Sequence, residues 1–224
     1  MSIVTIRGQL GSGAPEIGKL VADKLHTDYV DREIIAQVAE RLHWPEQEIV
    51  EKEMPPGTLL RRIAEAMGRG YALGTGSEGA YLPTWEIPLD DNRYIIGLES
   101  VIKELASSQS IVIRGRGSQF ILRDHPGALH VLVVAPLEIR VKRVMESLKL
   151  EEESAKKEIE RFDSSRREFT KRYFQAELED PLYYDLVINT ERVNFEDAAS
   201  IIINAVHFKD KPEMGEQGSA PGSK

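Results

Sequence analysis

The chain has 224 residues, with 37 acidic against 29 basic side chains, a formal net charge of −8 and no cysteine. That length holds one good-sized domain with an ample core, and the acidic excess argues against a nucleic-acid binder, which needs surplus positive charge. No cysteine means no disulfide, the opening Met-Ser-Ile-Val lacks a secretory pattern, and no apolar run approaches the roughly 20 residues that span a bilayer. A cytoplasmic protein with no membrane partner is therefore expected.

Ile3, Val4 and Ile6 make a short β-branched run suited to a strand buried on both faces. Ile17, Leu20, Val21 and Leu25 then recur at helical spacing, so the period changes across Gly8–Pro15. Gly11 and Gly13 allow torsions closed to other residues, and Pro15 fits the first turn of a helix. Exposed N–H groups at such a turn, with the positive end of the helix dipole, form an anion site. The phosphate-loop spacing G-x-x-x-x-G runs from Gly8 to Gly13 and encloses Gly11 and Ser12. Ala14 and Pro15 stand where that loop carries a lysine and a hydroxyl. The same stretch also reads as a plain strand-to-helix turn.

Asp28-Tyr-Val is a brief second strand ending at Asp31, which either caps the next helix (Arg32 to Leu42) or faces a ligand from the strand's carboxyl end. Short helices are predicted over 45–53 and 58–67, separated by Pro55-Pro56-Gly57. Residues 68–91 mix glycines and prolines with Tyr71, Tyr81 and Trp85, the composition of a lid, a base-stacking surface or a packed surface loop. A helix follows from Arg93 to Ala106, then a strand from Ser110 to Ile113. Arg114-Gly-Arg-Gly117 comes at that strand's carboxyl end, where parallel sheets place ligand contacts.

Leu129 to Val134 is a third buried strand. Pro136 opens a helix with Leu137, Val141, Val144, Met145 and Leu148 inward and Arg140 and Arg143 on another face. Glu151 to Ala176 reads as a charged helical arm outside the core, and Asp185 to Ile188 as the last strand. Asn194 caps a closing helix with Phe195, Ala199, Ile202 and Val206 inward. Residues 209–224 lack apolar periodicity and are expected to be a disordered tail. His26, His43, His125, His130 and His207 show no metal-ligand spacing, and no metal ligand is assigned. Strands alternating with helices predict an α/β fold, a three-layer parallel sheet of about five strands with right-handed crossovers.

In order along the chain, Gly11-Ser-Gly13 with Glu16-Ile-Gly18, Tyr29-Val-Asp-Arg-Glu-Ile-Ile35 and Ile113-Arg-Gly-Arg-Gly-Ser-Gln119 resemble the cytidylate kinase-like proteins of the nucleoside monophosphate kinases. The helix around Arg140 and Arg143, Asp163-Ser-Ser-Arg166 and the run Asp180 to Thr190 continue the likeness. The resemblance implies a P-loop kinase domain over residues 1–208, with an acceptor-binding insertion at about 55–94 and a helical lid at about 150–176. It implies ATP and Mg²⁺ as cofactors and small-molecule nucleotides as partners, with no nucleic acid and no membrane; oligomeric state stays open. Gly8, Gly11, Ser12, Gly13 and Ala14 would cradle the donor phosphates, joined by Arg140 and Arg143. Asp31, Arg32, Arg114 and Arg116 would hold the acceptor. Arg116, Arg166 and Asp163 would be the catalytic set. Gly117 stands where cytidylate kinases place an aspartate.

Phosphoryl transfer asks a protein to position two anionic substrates and neutralise charge on the moving group, which arginine does with a planar fork. That requires Arg114, Arg116, Arg166 and Arg167 to converge, and so requires the charged arm to fold over the sheet edge. With Ala14 in the lysine position, Arg7 or Arg114 must supply the missing cation, or catalysis is poor. The readings left open are a nucleotide kinase, a nucleotide-binding or sensing module of the same fold with little turnover, and a kinase for another small acceptor.

Overall fold

Short β-branched runs build one sheet. The computed structural model describes residues 2–31, 33–46, 49 and 91–209. Strands β1 (Ile3–Gly8), β2 (Asp28–Val30), β3 (Ile111–Arg114), β4 (Ala128–Val134) and β5 (Leu186–Asn189) lie in the order β2-β3-β1-β4-β5. Every pairing is parallel, as the alternation of strands and helices predicts. All six residues of β1 are buried, because it is central and covered on both faces.

The helices among the described residues are α1 (Ala14–Leu25), α2 (Glu33–Leu42), α3 (Asp91–Ser108), α4 (Ser118–Ile121), α5 (Leu137–Leu148), α6 (Glu152–Phe174) and α7 (Phe195–Lys209). Two apolar layers sandwich the sheet. Ile3, Ile111 and Ile113 pack on Ile34, Val38, Leu98, Ile102 and Phe169 of α2, α3 and α6. Val4, Ile6, Val112 and Val131 pack on Ile17, Val21, Ala199 and Ile202 of α1 and α7. Period two along β1 thus puts Arg7 on the same face as Ile3, toward the layer that holds α6.

Several expectations change. The charged arm is not outside the core: α6 buries Ala155, Glu158, Ile159, Asp163, Phe169 and Thr170. Its high charge hid an inner stripe broken by polar residues that find partners there. Leu137 and Leu148, expected inward on α5, are 46% and 50% exposed, because they sit at the two ends of the helix. Lys209 is not tail: it closes α7, and its Nζ donates to Asp185 Oδ2 at 3.0 Å. Asn194 caps α7 as expected, its Oδ1 accepting from the Asp197 N–H at 2.8 Å. Most of the expected helix at 45–53, all of that at 58–67, nearly all of the insertion at 55–94, Arg32 and the tail beyond Lys209 fall outside the described residues.

Candidate active site

The Gly8–Pro15 turn joins β1 to α1. Gly13, the residue before α1, has φ 92°, and a Cβ there would lie 2.3 Å from the Phe195 ring, so both torsion and space demand glycine. Pro15 sits in the first helical turn, where its missing N–H removes no helical bond. Within the turn, Gln9, Leu10 and Ser12 already donate their N–H groups to Val133, Asp163 and Gln9. The N–H groups at the start of α1 have no intrahelical acceptor, the feature that suits a helix start to an anion. Ser12 Oγ is fully buried and has no hydrogen-bond partner among the described residues, so a phosphate oxygen would satisfy a donor the fold leaves open.

The outer side of the turn is held in place. Arg143 Nη1 donates to the carbonyls of Gly11 (3.2 Å) and Ser12 (3.4 Å) and to Thr190 Oγ1 (2.8 Å), while its guanidinium stacks 5.0 Å over Phe195. Thr190 Oγ1 donates in turn to the Ser12 carbonyl at 2.7 Å. Arg140 Nη1 lies 3.4 Å from the Leu10 carbonyl and 2.6 Å from Asp163 Oδ2, and Asp163 Oδ1 accepts the Leu10 N–H at 3.1 Å. Arg140 and Arg143, expected on the donor phosphates, therefore grip the loop's carbonyls. Asp163, expected in the catalytic set, ties α6 to the loop. Thr190, the last residue of the Asp180–Thr190 run, carries no local sign of this role. Its role here depends on β5 running beside β4, which nothing local announces.

A pocket opens at the carboxyl ends of β1, β2 and β3, and four arginines line it: Arg7, Arg114, Arg116 and Arg166. Arg114 donates through Nε and Nη2 to Asp31 Oδ2 at 2.8 and 2.5 Å, so Asp31 at the end of β2 fixes that guanidinium. Gly115, Arg116 and Gly117 have φ of 73°, 57° and 70°, three left-handed residues in succession. A non-glycine residue there costs roughly 1–2 kcal/mol, and the strained turn points to a side chain held for use. Arg166 brings α6 over the sheet edge into the same pocket, while Arg167 pairs with Glu179 outside it. Burial and the neighbouring Arg166 push the Arg7 guanidinium down to about 10. Burial, with Arg114 nearby, lowers Arg166 as well.

Phe162, Phe169, Gln119 and Leu178 complete the walls, none of them singled out from sequence. Gln119 Nε2 donates to the Tyr184 hydroxyl at 3.2 Å, which donates to the Leu178 carbonyl at 2.5 Å; burial raises the Tyr184 phenol to about 12. The departure at Gly117 has a steric counterpart: a Cβ there would lie 2.2 Å from the Phe174 ring. Gly117→Asp is therefore expected to destabilise the fold by roughly 2–4 kcal/mol, from overpacking plus the left-handed torsion. Urea midpoints of the variant, with and without Phe174→Ala to make room, measure this. An unchanged midpoint for the single variant rejects it.

Pro15 has no hydroxyl to offer a metal, and among the described residues no group of three His, Asp or Glu side chains is arranged to hold one. Among the described residues the donor set does not fit a magnesium held by protein side chains alone.

Comparison with known proteins agrees with the sequence resemblance. The model of the cytidylate kinase-like family matches residues 3–192. Cytidylate kinases of Methanosarcina barkeri and Methanocaldococcus jannaschii are 24% and 26% identical to this chain. Those alignments cover 94% and 91% of this chain and 99% and 97% of the relatives. A solved structure of an uncharacterized protein from Eubacterium ventriosum matches with a TM-score of 0.66 and 20% identity, over 92% of this chain and 99% of that one, a likeness of fold.

Proposed function

The chain belongs to the cytidylate kinase-like family, and from that premise we propose that it moves the terminal phosphoryl group of ATP to a nucleoside monophosphate, with CMP the first acceptor to test. The observation that carries this reading is the meeting of Arg7, Arg114, Arg116 and Arg166, from three separate parts of the fold, in one pocket beside the glycine loop. Four positive charges gathered in one pocket suit polyanionic substrates. Magnesium enters with ATP as part of the substrate, since among the described residues no group of three ligands is arranged to hold it.

The chemistry needs little else. An acceptor phosphate oxygen, already ionised because the second phosphate pKa is about 6, forms the new P–O bond. The bond to the bridging oxygen breaks, and its electron pair leaves with ADP. No proton moves, so no general base is required. In this reading the loop residues Gly8, Gly11, Ser12, Gly13 and Ala14 bind the donor through backbone N–H groups and the Ser12 hydroxyl. Arg116 takes the acceptor phosphate, Arg114 is aimed by Asp31, and Arg166 neutralises charge in transit. Arg140, Arg143, Asp163 and Thr190 position the loop rather than touch substrate.

A second reading, a nucleotide-binding module with little turnover, is favoured by one feature: Ala14 is 1% exposed and stands in the lysine position. The test incubates the full chain with ATP and Mg²⁺ against a panel of nucleoside monophosphates and small hydroxyl acceptors. Diphosphate product from a monophosphate establishes the kinase. Product only from a hydroxyl acceptor redirects the substrate class, and ATP binding without product establishes the module.

A further inference from the structure

Among the pocket's four arginines, Arg7 is the one whose charge the fold leaves least accounted for. Its residue is 8% exposed, and no carboxylate makes an ion pair with it among the described residues. Its hydrogen bond goes from Nη1 to the Gly8 carbonyl at 2.5 Å. Buried charges are ordinarily paired, because desolvation makes an uncompensated one costly. Arg114, by contrast, spends Nε and Nη2 on Asp31.

Position bears on what Arg7 can reach. It is the last side chain of β1 before the glycine loop, and its head touches the Gly8 carbonyl while lining the pocket with the other arginines. The loop itself has lost its cation at Ala14. We propose that Arg7 supplies that cation, its guanidinium holding the donor's terminal phosphate and then the phosphoryl group as it passes to the acceptor. This rests on the transferase reading above and names a catalytic group for it. Arg7 keeps its protons throughout: the bond made is acceptor oxygen to phosphorus, the bond broken is phosphorus to bridging oxygen, and the electron pair leaves on ADP.

The surroundings agree. Arg166 and Arg114 both oppose the Arg7 charge, and Tyr184 and Asp163 favour it. With its pKa down at about 10, the charged form is held less well in the fold than in the unfolded chain. That penalty is complete below the folded value and fades as pH rises toward the ordinary arginine value. A neutral side chain removes it at every pH. The fold thus carries a cation at a cost that a bound anion relieves.

The experiment separates terminal-phosphate binding from structural damage. ATP and ADP are titrated by calorimetry into the full wild-type chain, Arg7→Gln and Arg7→Lys. Wild type is expected to prefer ATP, Arg7→Gln to lose about tenfold in ATP affinity while ADP affinity stays within about twofold, and Arg7→Lys to lose less. The unliganded thermal midpoint of Arg7→Gln should be equal to or above wild type. With an acceptor that turns over, kcat of Arg7→Gln should fall about a hundredfold with acceptor KM little changed. Millimolar guanidinium, but not urea, should restore part of the rate of Arg7→Ala. Equal losses of ATP and ADP affinity, or a wild type that does not distinguish them, overturn the assignment. If the wild type turns over no acceptor yet Arg7→Gln loses only ATP affinity, the transferase reading fails and the assignment of Arg7 to the terminal phosphate stands.

Discussion

Asp163→Ala is expected to cost about 3–5 kcal/mol of folding stability, the largest loss from any single change at this site. The side chains of Arg140 and Asp163 are 10% and 6% exposed and meet at 2.6 Å. Removing the carboxylate strands a buried guanidinium whose Nε already has no hydrogen-bond partner among the described residues. It also takes the acceptor from the Leu10 N–H, a bond that runs directly from α6 to the glycine loop. Stability and loop position separate in the companion variants. Arg140→Met with Asp163→Leu replaces the pair by apolar groups and should fold nearly as well as wild type. It should still bind ATP poorly, because the loop has lost its ties. Urea unfolding and ATP calorimetry on both variants make the comparison. A loss under about 1 kcal/mol for Asp163→Ala would show that the pair is screened and the loop holds itself.

The second large effect is on binding rather than folding. Arg116→Ala should lower monophosphate affinity about a hundredfold or more, the range for truncating one partner of a desolvated charge pair. Its fold should survive. Arg116 sits at φ 57° between two left-handed glycines, a conformation an L side chain opposes. Arg116→Gly should therefore match the binding loss while keeping or raising the thermal midpoint. Calorimetry with the acceptor that turns over and a melting curve for each variant test both halves. Unchanged affinity would remove Arg116 from the acceptor site.

Much of the architecture could be read directly. The β-branched runs, the glycine turn, Pro15 and the Asn194 cap are local signals, each needing only its neighbours in sequence, and the parallel α/β sheet follows from them. The arginine doublet of Arg114 and Arg116 was visible for the same reason, at the end of a strand. Arg140, Arg143 and Asp163 were visible as residues but not in their present roles. A motif gives the order of charged groups and says nothing of which backbone atoms they will face.

Sequence alone determined that this chain makes a parallel sheet with a glycine turn into a helix after its first strand, because those features depend on torsion preference and on periodicities of two and 3.6 residues. Only the tertiary structure decided which arginines meet. α6 had to cross the sheet edge to bring Arg166 beside Arg7, and β5 had to lie next to β4 to bring Thr190 onto the loop. Those contacts join residues more than a hundred positions apart, and they are set by how buried surfaces pack rather than by any short pattern of letters.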